Sequence, residues 1–312
     1  MKKLFQYLKK YTKECILGPL FKLFEASFEL IVPLVVARMI DVDIAASDKG
    51  GAARDGVILI ALGIFGLLFS VTAQYFSAKA AVGVASDMRH SLFARIQSLS
   101  YSDIDETGTA SLITRMTSDI NTLQNGINMA LRLFLRSPFI VFGAAAMAFA
   151  VDTRLALIFA VVIPVLAVIV YGIMLLTMPL FKKVQKKLEG VVGITGDTLS
   201  GARVIRAFCS EDEEYERFKA ENDELAKLQK RAGRLSALTN PLTYVVINAA
   251  LIVLIRNGAI RVDAGLISVG GVIALYNYMS QILVELIKLA NLIVTVTKAL
   301  TCAGRISSVL DM

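Results

Sequence analysis

The charged and amide side chains inside the apolar stretches of this chain are its candidates for chemistry. In Ile16–Ile40, Lys22, Glu25 and Glu29 fall at i, i+3 and i+7, on one helical face. In Leu266–Val296, Asn277, Gln281, Glu285 and Lys288 follow at steps of four, four and three, again on one face. Asn248 lies in Ala237–Ile255, and Gln74 and Lys79 lie in Val57–Ala85. A lipid-facing stripe of this kind costs several kcal/mol, so these faces are expected to turn into a helix bundle or a water-filled cavity. There they can recognise a polar or charged head group. Lys22–Glu25 and Glu285–Lys288 also stand at the i, i+3 spacing of intrahelical ion pairs, which is the structural alternative. Glu29 has no such partner in its own helix and is the stronger cavity candidate. A cavity with spare carboxylates would favour cationic amphiphiles. Phe24, Phe28, Phe139, Phe142, Tyr244 and Tyr276 either line that cavity or serve ordinary packing.

Bond-making chemistry has no constellation here. The 312 residues hold one histidine (His90), three cysteines (Cys15, Cys209, Cys302) and no tryptophan. No Ser/His/Asp set, metal-ligand spacing or disulfide framework follows from these, so no catalytic residue and no metal site is expected. The phosphate-binding pattern G-x-x-x-x-G-K-[ST] does not occur. The net charge of +7 accompanies a hydrophobic content of 56%. In so apolar a chain, excess Lys and Arg belongs to the cytoplasmic side of a membrane protein rather than to a nucleic-acid surface.

The elements that must position these residues are membrane helices. Six apolar stretches stand out: Ile16–Ile40, Val57–Ala85, Leu133–Val151, Leu155–Phe181, Ala237–Ile255 and Leu266–Val296. Both ends and the two long connectors hold 23 lysines and arginines, whereas the three short connectors hold five. The positive-inside rule then puts both termini and both long connectors in the cytoplasm, where the three cysteines stay reduced. The N-terminal MKKLFQYLKKYTK places Leu4, Tyr7, Leu8 and Tyr11 on one face among lysines, which predicts an interfacial helix over residues 1–14 rather than a signal peptide.

The long connectors are themselves helical. Met88, Leu92, Ile96 and Leu99 recur at three to four residues, as do Leu112, Met116, Ile120 and Leu123. The second connector repeats the pattern with Val184, Leu188, Val191 and Leu199, then Tyr215, Phe218, Leu225, Leu228 and Leu235. A helix from Gly56 to about Ser98 is roughly 65 Å long against a hydrocarbon core of about 30 Å. Each connector therefore reads as a helical hairpin reaching about 25 Å or more beyond the membrane. The first tip lies in 99–109, where Asp, Thr and Gly cluster in YSDIDETGT. The second lies in 207–216, where Ser210 and Glu213 predict a capping box.

These stretches carry a family resemblance. LSYSDIDETGTASLITRMTSDINTLQ (Leu99–Gln124), GDTLSGARVIRAFCSEDEEYERF (Gly196–Phe218) and the ending KALTCAGRISSVLDM resemble, in order and spacing, the transmembrane domain of an ATP-binding cassette (ABC) exporter. The opening KKYTKECILGPLFKLFEASFELIVPLVVARMIDVDI resembles one half of bacterial heterodimeric multidrug exporters. The resemblance implies an all-α membrane protein of six transmembrane helices, extended into the cytoplasm as two long hairpins. It implies a bacterial plasma membrane location, a second half-transporter that is a different chain rather than a copy, and an amphipathic drug or lipid-like substrate. It also implies coupling helices at the tips: Ser102, Asp103, Asp105, Thr107 and Gly108 in the first, and Cys209, Ser210, Glu211, Glu213 and Tyr215 in the second. These would dock on nucleotide-binding domains that carry ATP and Mg²⁺. No such domain lies within these residues, so the chain alone is not expected to hydrolyse ATP. It is expected to be a piece of a longer chain, a separate ATPase polypeptide being the alternative.

The competing functional class is a channel or ion-coupled secondary transporter. Its sign would be a broken helix at the midplane, and Pro164 and Gly172 in the fourth span are the hint of one.

Overall fold

A computed structural model describes residues 2–312, with side chains from residue 6 onward. Every regular element among them is helical: α1 (Lys2–Lys10), α2 (Thr12–Arg38), α3 (Lys49–Gln97), α4 (Tyr101–Thr107), α5 (Thr109–Thr114), α6 (Ile120–Leu133), α7 (Arg136–Val151), α8 (Thr153–Ser200), α9 (Ala202–Ala207), α10 (Glu211–Ala237), α11 (Thr239–Asp263) and α12 (Val269–Asp311). Short π-helical segments follow α2 (Met39–Ile44) and α5 (Arg115–Asp119). The helices form two compact units, one of residues 1–163 with 249–312 and one of 164–248.

Among the described residues, five helical stretches are long and apolar enough to cross a membrane: Lys49–Gln97, Thr109–Val151, Thr153–Ser200, Glu211–Asp263 and Val269–Asp311. The first stretch expected from the sequence forms α2, which has the length, 27 residues. Lys22, Glu25 and Glu29 keep it out of that set. The protein is an all-α, multi-pass membrane protein. On α3, Val57, Ile60, Ile64, Leu67, Leu68 and Val71 are exposed on the span, as lipid contact requires.

The first unit is built around α2, α3, α6, α7 and α12, which pack on one another. Phe21, Phe24 and Phe28 of α2 meet Phe65, Phe69 and Phe76 of α3, with ring centroids 5.5–6.4 Å apart. Phe24 and Phe28 therefore serve helix packing. Asp152, between α7 and α8, accepts the Leu155 N–H at 2.8 Å and both Arg261 Nε at 3.1 Å and Nη2 at 2.7 Å. That one carboxylate caps α8 and holds the far part of α11.

Beyond the spans the sequence periodicity becomes a core. Met88 and Leu92 of α3, Leu112, Ile120 and Leu123 near and on α6, and Ala299, Ala303, Ile306 and Val309 of α12 are all buried together. Tyr7, Leu8 and Tyr11 pack against the same cluster, so the stripe of the N-terminal helix is used at least in part by protein. The Leu4 side chain lies outside the described residues. Gly126 of α6 is what lets α12 come so close: a methyl there would collide with Ala299. Arg305 of α12 donates to both oxygens of Asp119, Nε to Oδ2 at 2.8 Å and Nη2 to Oδ1 at 2.5 Å. Arg115 adds bonds to the Arg305 carbonyl and Ser308 Oγ, each 3.2 Å.

The second unit is a hairpin of α8 and α10 with α9 at its turn. Lys187 bridges the two arms, bonding Glu221 at 2.9 Å and Glu224 at 2.6 Å. Of its apolar stripes, Val191 and Leu225 are buried, whereas Leu188, Leu199 and Tyr215 stay exposed. α8 is a single helix through Pro164, Gly172 and Pro179, so the break expected of a secondary transporter does not occur at Pro164 or Gly172.

Two outcomes follow from the α6–α12 seam. Gly126→Val should destabilise the chain by about 1–3 kcal/mol, because the Ala299 methyl is fixed to backbone and cannot swing away; the check is thermal unfolding in lipid nanodiscs. Arg305 hydrogen bonds hold the Asp119 carboxyl below the usual carboxylate range, with burial opposing. A depressed folded value means the stabilisation is complete above the ordinary value near about 3.9 and is lost only as pH falls through the lowered one. Proteolytic protection of residues 303–311 should therefore be flat between about pH 5 and 8, and Asp119→Asn should weaken it throughout.

Candidate functional site

In the first unit, Glu29, Asn277, Gln281, Glu285 and Lys288 line one cavity of about 460 Å³, together with Val32, Pro33, Val36, Ser280 and Val284. α2 supplies one wall and α12 the other. One hydrogen bond joins the two helices near this level, and Pro33 interrupts the backbone bonding of α2. Pro33 has no N–H to give the preceding turn, and nearby the Tyr278 hydroxyl, fully buried, donates to the Leu30 carbonyl at 2.8 Å.

The charges at the cavity form one network. Glu285 is 2% exposed and accepts from Arg136 Nη1 at 2.6 Å, Ser137 Oγ at 2.8 Å and Lys288 Nζ at 2.8 Å. The other arm of Arg136, Nη2, donates to Glu29 Oε2 at 2.6 Å. Two carboxylates and two cations thus cancel across α2, α7 and α12. The i, i+3 pair Glu285–Lys288 exists as its spacing suggested, but it is only part of the set. Glu29, unpaired within its own helix, is paired across helices. A carboxylate already engaged by arginine is not spare, so the reasoning toward cationic amphiphiles loses its premise.

Arg136 is the residue that sequence reasoning missed. The signal was present: it is the one charged residue in Leu133–Val151, and a lone cation in an apolar run needs a partner. The partner itself could not be read, because Glu29 and Glu285 lie 107 and 149 positions away.

The other expected cavity residues sit elsewhere. Lys22 is buried and bonds Glu25 in its own helix and Ser70 Oγ of α3 at 3.1 Å. These two residues belong to the α2–α3 seam rather than to the lined cavity. Asn248 belongs to the second unit, where it is exposed. Among the described residues no group of three or more His, Cys, Asp or Glu is arranged to hold a metal ion.

The tips differ in how they are built. At the first, Ser100 and Asp103 form a reciprocal capping box on α4: Ser100 Oγ accepts the Asp103 N–H and Asp103 accepts the Ser100 N–H, each at 3.2 Å. Gly108 ends α4 at φ +78°, a conformation in which a side chain is strained. At the second tip the expected box does not form. Cys209 takes φ +49°, and the Ser210 N–H goes back to the Ile205 carbonyl at 3.0 Å, the closure of a helix C-terminus. Ser210 is thereby committed to ending α9, and its side chain makes no cap on α10. Four acidic residues, Glu211 to Glu214, suit the positive end of that helix instead. Tyr101, Phe208 and Tyr215 are 90%, 76% and 62% exposed.

Removing the shared guanidinium tests the network. Arg136→Ala leaves Glu285 buried with two of its three donors and one of its two cations, and should cost about 3–5 kcal/mol, read as a lowered unfolding midpoint in nanodiscs. Glu29→Gln, at a side chain 40% exposed, should cost under about 1 kcal/mol.

Residues 15–286 match the family described as the ABC transporter transmembrane region. Among curated proteins, an uncharacterised ABC transporter ATP-binding protein of Mycobacterium tuberculosis is 30% identical over 308 residues, covering 98% of this chain and 53% of that one. Another from Bacillus subtilis is 30% identical over 311 residues, covering 100% and 54%. An ATP-dependent lipid A-core flippase of Syntrophus aciditrophicus is 24% identical over 229 residues, covering 73% and 38%. The chain thus spans about half the length of the first two relatives. Helical spans prolonged into long extensions, and a family match over most of the sequence, lead to one conclusion: the chain belongs to the ABC transporter transmembrane-region family.

Proposed function

We propose that this chain forms the translocation pathway of an ATP-driven exporter of amphipathic or lipid-like molecules. The observation that carries the reading is the cavity between α2 and α12, apolar on Val32, Pro33, Val36 and Val284 and polar on Glu29, Asn277, Gln281, Glu285 and Lys288. Such a lining suits a molecule with an oily body and a charged or hydrogen-bonding head. The lipid A-core flippases among its relatives support a lipid-like cargo. In this reading α2 is the first of six spans. The membrane is the bacterial plasma membrane, with both termini cytoplasmic.

The tips are the coupling elements. Ser102, Asp103, Asp105, Thr107 and Gly108 form one contact, and Cys209, Ser210, Glu211, Glu213 and Tyr215 the other. Exposed aromatic residues at both, Tyr101, Phe208 and Tyr215, favour docking into clefts of nucleotide-binding domains. Those domains take ATP and Mg²⁺, for which this sequence has no phosphate loop. The names of its relatives, ABC transporter ATP-binding proteins, support this partnership. The second half-transporter is taken to be a different chain.

The test is uptake of an amphipathic dye into sealed vesicles. ATP-dependent uptake should require assembly with nucleotide-binding domains and a second half. It should fall at least tenfold when Tyr101 and Tyr215 are both changed to Asp, with dye binding unchanged. Flux through the chain alone, independent of ATP, would overturn the reading in favour of a channel or secondary transporter.

A further inference from the structure

The turn from α2 to α3 gathers four aspartates, and two of them are accounted for. Asp41 Oδ1 accepts the Gly270 N–H at 2.7 Å, at the start of α12. Asp48 Oδ1 accepts the Gly50 N–H at 2.9 Å, capping α3. Asp43 and Asp55 are not used in this way. They are 4% and 0% exposed, and neither oxygen of Asp55 nor Oδ2 of Asp43 has a hydrogen-bond donor. The backbone is shaped around them: a methyl on Gly51 would strike the Asp43 carboxylate and meet Asp48 Oδ2 at 2.8 Å.

The charges facing this pair are few. Asp48 stands on the same side as Asp43 and adds negative charge. On α2, Arg38 Nε is 3.8 Å from Asp55 Oδ2, beyond hydrogen-bonding distance, and the Arg38 side chain is 57% exposed. Lys49 and Arg54 of α3 are exposed. α12, packed on the same segment, has no ionisable side chain between Val269 and Tyr276. Two buried carboxyl groups side by side share a single half-exposed cation, Arg38, 3.8 Å from Asp55, and like charges so placed disfavour a second negative charge.

We propose that Asp43 and Asp55 share one bound proton, so that this turn is a proton-binding site fastening Met39–Ile44 to α3. The hydrogen bond that the pair lacks is then supplied by the proton itself. Burial, and next the neighbouring Asp55, push the Asp43 carboxyl above its ordinary range, with Arg38 opposing. A raised folded value contributes stability that is complete below the ordinary carboxylate value and is lost as pH rises through the raised one. The turn is tight when acidic and loosens as the proton leaves. Asp41 belongs to the same segment and holds the first turn of α12, so the loosening reaches the start of that helix.

Infrared spectroscopy of the chain in lipid nanodiscs, with carbon-13 aspartate to separate Asp from Glu, tests this directly. The unmutated chain should show a protonated-aspartate carbonyl band persisting at least one pH unit, tenfold in proton affinity, above the ordinary value near about 3.9. Asp43→Asn and Asp55→Asn should each abolish it. Absence of the band overturns the proposal. Its survival in either variant puts the proton on a single carboxyl or elsewhere, which also overturns sharing. Arg38→Gln, at an exposed side chain, keeps the test open where an aspartate variant fails to fold. It should raise the midpoint at least threefold in proton affinity, and an unmoved midpoint overturns the assignment to this pair.

Discussion

A charge cannot sit alone in hydrocarbon, and the arrangement of this bundle answers to that constraint. Glu285 is nearly inaccessible on a membrane helix, and its two oxygens take three donors from two helices. Arg136 then spends its second arm on Glu29 and draws in a third helix. Each partner fixes the register of its helix, because a shift of one residue would turn the group away by about 100°. The same bonds that neutralise the charges thus decide which faces of α2, α7 and α12 meet, and those faces leave the cavity.

Outside the spans a different logic holds the helices. There water is present, and the α3–α6–α12 core is an ordinary apolar one, closed by Gly126 and clasped by Asp119–Arg305. The clasp sits at the far end of α12, and the ion network lies nearer its middle. One helix therefore joins the cavity wall to the base of the first tip without an intervening loop. In the hairpin of the second unit, Lys187 between Glu221 and Glu224 bridges the arms, and Val191, Ile194, Leu225 and Ala232 are buried.

What the sequence discloses follows the range of each interaction. Periodicity is local, so the stripes from Met88 to Leu99 and from Leu112 to Leu123 predicted faces that the structure packs into the core, with Ile96, Leu99 and Met116 only partly buried. The i, i+3 pairs Lys22–Glu25 and Glu285–Lys288 were legible for the same reason. Arg136 could be flagged as a cation in want of a partner, but its partners are set by tertiary packing. The Ser210 box failed because two local motifs compete for one residue. A C-terminus closing on Ile205 claims the Ser210 N–H and bends the backbone out of the capping conformation. Ser100, free of any such competing closure, forms its box with Asp103. Asp43 and Asp55 lie in the short connector between the first two apolar stretches, and only the fold buries them.

The unbroken run of α3 has a mechanical consequence. A continuous helix passes on an angle rather than a distance. Its 49 residues make a rod of about 73 Å, so moving the Gln97 end by about 5 Å tilts it by roughly 8° about its centre. The aromatic rings shared with α2, at Phe69 and Phe76, lie either side of that centre near Ala73. A tilt displaces atoms least at the fulcrum, the two ends swing in opposite senses, and the buried run Ser77 to Leu92 lies on the Gln97 side of it. A push at Gln97 therefore moves the buried face at Met88 and Leu92 and, through one continuous helix, the capped turn at Asp48.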